Sequence, residues 1–192
     1  MSEFFTNPAL WIGTGVFFII IYVNMKTDNY IDIRSIIKNH YSIFDGSIIQ
    51  ILFFTIIPLF FAIGFTLAQT VTKDIYDCLN VIFSIFVAMF FSILSILLSI
   101  LSKDGKDEEK KIKQNKEYLK LIEQSNDTVI FEILLSIVLL FIILIYSLLP
   151  ENTDIFVKVV FSVIIYYLTA SVLLNIFILI KRLKAIFDNL NQ

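Results

Sequence analysis

Four long apolar runs, separated by short polar segments, organise this chain: 47–69, 79–101, 129–149 and 155–180. A helix needs roughly 20 apolar residues to cross about 30 Å of hydrocarbon at 1.5 Å per residue, and each run meets that length. A fifth run, 8–23, is shorter, about 24 Å if fully helical. Phe4 and Phe5 can extend it, and Trp11 and Tyr22 suit the two membrane interfaces. The pattern predicts an all-α integral membrane bundle of about five transmembrane helices, 1–192 forming a single domain.

Two polar segments have patterns of their own. In 28–45, Ile33, Ile36, Ile37, Tyr41 and Phe44 recur at helical spacing, with Asp32, Arg34, Lys38 and Asn39 opposite them. Asp28 offers a start and Gly46 an end. This predicts an amphipathic helix, lying on the inner membrane surface or packed on its own bundle, with His40 at its apolar edge. In 103–127 lysines and acids are equal in number, and 107–124 is rich in helix formers, with Ile112, Leu119 and Ile122 on one stripe. Gly105 and Ser125–Asp127 read as breaks. The segment predicts a cytosolic helical hairpin, either a solvated extension of the bundle or a docking stalk for a soluble partner.

Charge sets the orientation. In the five-span layout, 13 of the 15 basic residues fall on one side, all but Lys73 and Lys158. Lys and Arg in short loops stay in the cytosol, so the N-terminus is expected outside and the C-terminus inside. A four-span layout would split the basic loops between both faces. The opening MSEFFTNP has no Lys or Arg, and no small-residue cleavage site follows, so the first apolar run is expected to stay in the mature protein. The expected location is the bacterial inner membrane, multi-pass, with the lipid bilayer as partner.

Composition agrees: 58% of residues are hydrophobic and mean hydropathy is +0.85. A single cysteine, Cys78, and a single histidine, His40, exclude a disulfide framework and a Cys- or His-based metal cluster. There is no GxSxG, no glycine-rich phosphate loop and no deep acid–base pair, so no enzyme, cofactor or metal is expected. The mixed-charge segment is not a basic patch, so direct nucleic-acid binding is not indicated.

The most informative intramembrane pattern lies in the third run. Ser84, Ala88, Ser92, Ser95, Ser99 and Ser102 fall within an arc of roughly 80° on a helix, with Asn80 beside it. Phe, Ile and Leu fill the opposite faces, which suit lipid. Small residues let helices approach closely, and their hydroxyls can bond across the contact. The same stripe can line a wet pathway. Pore-lining and helix-packing both remain open. Glu132 and Asn175 lie at similar depths from the cytosolic ends of their spans and can meet, although each also has a plain interfacial explanation. Pro58 in mid-span, followed by Gly64, predicts a kink or a flexible point.

The serine-rich SIFVAMFFSILSILLS, the lysine–glutamate helix after it and the terminal NIFILIKRLKAIF carry a resemblance. The layout resembles the small multi-span membrane proteins encoded in bacterial anti-phage defence operons, such as the membrane subunits of the Hailong and Kiwa systems and related nucleotide-signalled effectors. The resemblance implies a homo-oligomer, often a tetramer. It would open or disrupt the membrane when a cytosolic sensor or nucleotide-synthesising partner detects infection. The expected function is a gated ion channel or membrane-perturbing pore, the alternative a non-conducting anchor or sensor subunit that docks a cytosolic partner. A small transporter ranks behind both, for want of an internal repeat.

Overall fold

The computed structural model describes residues 14–15, 33–42, 48–104, 116–150 and 152–190, and the chain divides into two units, Met1–Lys38 and Asn39–Gln192. In the first unit, Thr14 and Gly15 are helical, as are Ile33–Lys38, the opening turns of helix α1 (Ile33–Ser42). The second unit holds the last turn of α1 and four long helices. These are α2 (Ile48–Ala68), α3 (Lys73–Asp104), α4 (Lys116–Ser147) and α5 (Ile155–Leu190). Among the described residues every regular element is helical.

Among the described residues, three helices are long and apolar enough to cross a membrane: α3, α4 and α5, over Lys73–Leu101, Tyr118–Ser147 and Ile155–Asp188. That is the build of a multi-pass membrane protein. Three of the five spans expected are thus present among the described residues. α2 runs 21 residues, Ile48–Ala68, of which Phe54–Ala68 is a continuous apolar stretch among the described side chains. The run 8–23, apart from Thr14 and Gly15, lies outside the described residues.

A second difference concerns the expected hairpin. α4 begins at Lys116 and runs unbroken to Ser147, so no break occurs at Ser125–Asp127. Polar residues end helices when their side chains compete for backbone groups. Here the hydroxyls of Ser125 and Thr128 donate to carbonyls one turn back, at Leu121 (2.7 Å) and Gln124 (2.8 Å), inside the helix. The segment 105–115 lies outside the described residues. At the other end, α5 continues past the expected limit at 180 to Leu190, well beyond the apolar run.

The helices pack in the order α3–α4–α5–α2, each against the next. The contacts follow a seven-residue period. Phe83, Phe90 and Leu97 are buried on α3, Ile122, Val129 and Ile143 on α4, and Ile165, Val172, Leu179 and Ile186 on α5. A 3.5-residue seam of this kind is the signature of left-handed, knobs-into-holes helix packing. Large side chains expected to face lipid on α3 therefore form part of the core.

The short connection between α2 and α3 is held by side chains. The Val71 N–H donates to Ser162 Oγ at 2.9 Å, the Tyr146 hydroxyl donates to the Val71 carbonyl at 2.7 Å, and the Tyr166 hydroxyl reaches the Gln69 carbonyl at 3.1 Å. Residues of α4 and α5 thus supply the partners that a four-residue turn between helices cannot supply itself.

Candidate functional site

Two polar features sit in the membrane-spanning helices, on different faces and in different surroundings.

The first is the serine face of α3. Ser84, Ala88, Ser92, Ser95 and Ser99 are all exposed, and Asn80 is half-buried; the Ser102 side chain lies outside the described residues. At about 100° per residue, this face points nearly opposite to Phe83, Phe90 and Leu97. The hydroxyls of Ser84 and Ser92 donate to their own helix, at the carbonyls of Asn80 (2.7 Å) and Ala88 (3.1 Å). Back-bonding of this kind satisfies a hydroxyl without any neighbour. Among the described helices, the stripe therefore packs against none of its neighbours.

The second is the α4–α5 seam. Its α4 side follows a heptad pair of positions: Ile122, Ser125, Val129, Glu132, Ser136, Leu139 and Ile143, all with no exposed surface. Two adjacent seam positions are thus polar, Glu132 and Ser136. From α5, Asn175, itself buried, donates from Nδ2 to Glu132 Oε1 at 2.7 Å. Glu132 and Asn175 therefore meet, and they do so in the core rather than at an interface. Glu132 Oε2 and Ser136 Oγ, both buried, have no hydrogen-bond partner in the described structure. Toward the N-terminal end of α4 the polar line continues through Thr128 to Gln124, whose Oε1 lies 3.5 Å from the Arg182 guanidinium. Toward the other end it stops, at Leu139 and Ile143.

The last turn of α1 covers the edge of this seam. The His40 ring, only 4% exposed, stacks on Phe131 with centroids 3.9 Å apart and planes 10° from parallel. Asn39 hydrogen-bonds Asp127 through its side chain. Burial pushes the His40 imidazole down to about 4, and the positive charge of Arg182 adds to the effect. His40 is thus a neutral ring in a closed site near neutral pH, not an exposed interfacial side chain.

Pro58 is buried inside α2, where its missing N–H removes one helix hydrogen bond. A Cβ added at Gly64 would meet nothing within 4 Å, so no close helix approach explains that glycine. A cavity of about 370 Å³ opens beside Phe61, Phe65, Leu79, Tyr166 and Thr169, with almost wholly apolar walls. Among the described residues, no cluster of His, Cys, Asp and Glu could hold a metal ion.

The burial of Glu132 and Ser136 was legible in the sequence. The spacing 122, 125, 129, 132, 136, 139, 143 alternates three and four, and reading it as one seam places both residues inside. No family model, curated protein or solved structure matches the chain.

Proposed function

We propose that the chain is a subunit of a homo-oligomeric, channel-like effector in the bacterial inner membrane. Its copies meet around the serine face of α3. The single observation that carries this reading is that face. It is the small, polar side of a long membrane helix, and it is turned away from the chain's own core. Five spans, with the N-terminus outside and the C-terminus cytosolic, complete the proposal, supported by the placement of 13 of the 15 basic residues. A tetramer responding to a cytosolic sensor or nucleotide-synthesising partner, as in anti-phage defence, is the arrangement the layout most resembles.

The resting energetics suit assembly. Hydroxyls bonded to their own carbonyls tolerate lipid in a monomer and can turn to a neighbour or to water in an oligomer. Ser92 and Ser95 lie near mid-helix and separate the two uses of the face. If it packs tightly against another copy, Ser92→Phe or Ser95→Phe overfills the contact, costs about 1–3 kcal/mol and dissociates the oligomer. If it lines a pore, phenylalanine blocks current while assembly persists, and Ser→Asp shifts selectivity toward cations. Native mass of the purified oligomer, read beside current across planar bilayers, distinguishes these outcomes. Intact oligomers with altered current are expected. A wild-type protein that assembles under activating conditions and never conducts overturns the channel reading.

One observation favours the second reading, a non-conducting anchor that docks a cytosolic partner. α4 is continuous from Lys116 through the membrane, so a partner bound to its charged end would act on a rigid rod reaching the core. Replacing 107–118 with a Gly/Ser linker spares buried Ile122 and tests that role. Loss of partner capture with the oligomer intact supports docking.

A further inference from the structure

The channel reading makes no use of the α4–α5 seam, and the seam carries a polar group that needs an explanation. Glu132 has no exposed surface, and Asn175 is its one hydrogen-bond donor in the described structure. Its second oxygen is unpartnered, and so is the buried Ser136 hydroxyl one turn further along the same face. An ionised carboxylate in apolar surroundings with one neutral donor is strongly disfavoured unless a positive charge joins it.

We propose that Glu132, Asn175 and Ser136 form an intramembrane binding site for one monovalent cation, a proton or a sodium ion. Glu132 Oε2 takes the ion, Asn175 fixes the other carboxyl oxygen, and the Ser136 hydroxyl supplies the next polar contact.

The surroundings limit what else could neutralise the carboxyl. α4 itself brings Glu123 and Asp127 nearer its N-terminal end, both of the wrong sign, and the nearby lysines, Lys120 on α4 and Lys181 and Lys184 on α5, are exposed. α5 contributes neutral Asn175 and, two turns on, Arg182, whose guanidinium is directed to Gln124. α3 sets Phe83, Phe90 and Leu97 toward the core, with no ionisable group among them. α2, packed on α5, has no ionisable side chain at all. The last turn of α1 brings His40, neutral and stacked on Phe131. None of these is a fixed counter-charge for Glu132, so the counter-charge is exchangeable.

Access is one-sided. Gln124, Thr128, Glu132 and Ser136 recur every four residues from the N-terminal end of α4, and such residues are neighbours on a helix surface. Beyond Ser136 the seam is closed by Leu139 and Ile143. The ion therefore enters from the end of the bundle where Gln124 and Arg182 lie, and it has no polar route out of the other end. That is the geometry of a binding site, not of a through-path. The inference requires only the α4–α5 seam and does not depend on assembly or conduction.

The test is infrared spectroscopy of the full-length protein in lipid nanodiscs at neutral pH, with Glu132→Gln as the reference. A proton in the site gives a carboxylic-acid C=O band in sodium-free buffer. The band is absent from E132Q and unchanged by added sodium chloride. A sodium ion gives a band that disappears on sodium addition and survives the same concentration of a bulky organic cation. Ser136→Ala should keep the band and move its frequency, or weaken the sodium effect at least several-fold. It also serves as the second variant should E132Q fail to fold. A carboxylate signal from Glu132 in sodium-free buffer, with no acid band lost in E132Q or moved in S136A, overturns the proposal.

Discussion

Replacing Ser162 with alanine should destabilise the bundle far more than the loss of one small hydroxyl suggests. Ser162 lies on α5 with no exposed surface. Its Oγ accepts the Val71 N–H at 2.9 Å while donating to the Lys158 carbonyl at 2.8 Å. The second bond is incidental, since Lys158 is a helix carbonyl with its own partner position. The first is not, because Val71 lies in the turn between α2 and α3 and is itself buried. Alanine leaves that N–H buried and unmade, which costs about 1–3 kcal/mol. The better helix propensity of alanine returns about 0.5 kcal/mol. The net expectation is a loss of about 0.5–2.5 kcal/mol.

The Tyr146 hydroxyl donates to the carbonyl of the same residue, so Tyr146→Phe should cost about 0.5–1.5 kcal/mol. Because both bonds hold one turn, the double variant should lose less than the two single losses combined. Ser171→Ala is the internal control, since its hydroxyl bonds only to Tyr167 in its own helix. The assay is reversible unfolding in mixed micelles of rising denaturing-detergent fraction. A Ser162→Ala variant within about 0.5 kcal/mol of both wild type and the Ser171 control would refute the reasoning. It would mean that the Val71 N–H finds another acceptor at no cost.

Two further outcomes are expected. The buried His40 has a pKa of about 4 against 6.5 for a free imidazole, so its folded form resists protonation. Its contribution to stability is complete above about pH 6.5 and falls as pH drops toward 4; His40→Leu should flatten unfolding midpoints across that window, and an unchanged pH profile would count against the closed site. Cys78 is the lone thiol, exposed near the start of α3. A membrane-impermeant maleimide should label it in intact spheroplasts, whereas labelling that requires permeabilisation reverses the proposed orientation.

The apolar runs at 47–69, 79–101 and 155–180 were legible because lipid-compatible length is a strong signal: α3 and α5 contain the second and third, and α2 covers Ile48–Ala68 of the first. What the runs concealed was helix continuation into polar sequence. Ser125, Asn126 and Asp127 resemble a terminator in one dimension. In three dimensions, two neighbouring hydroxyls bond backward and tertiary packing buries Ser125 and Thr128. The same error misplaced Glu132. Counted from the apolar run at 129, it sits within the first turn, where an acidic side chain reaches water. Counted from Lys116, where α4 begins, it is about four turns in. The serine stripe itself was visible, but its direction was not. Periodicity tells which residues share a face and is silent on which face the protein covers; only Phe83, Phe90 and Leu97, packed toward α4, settle that.

That packing also constrains how the serine face can be used. α3 is held on α4 by large side chains at every second turn, and its N-terminal end is tied through Val71 to both α4 and α5. Turning the serines inward would require a rotation of roughly 160–200°, which would expel all three large side chains from the core. The face is therefore left uncovered by the other described helices. In lipid, hydroxyls bonded to their own carbonyls gain nothing from their surroundings, and a stripe of them offers poor contact to acyl chains beside neighbours such as Val81 and Ile85. In a second copy, the same small side chains permit close backbone approach, the favoured basis of helix association where no hydrophobic drive exists. In water, they are solvated at once. Two of these three environments, a neighbouring helix and a wet path, reward the stripe, and acyl chains do not.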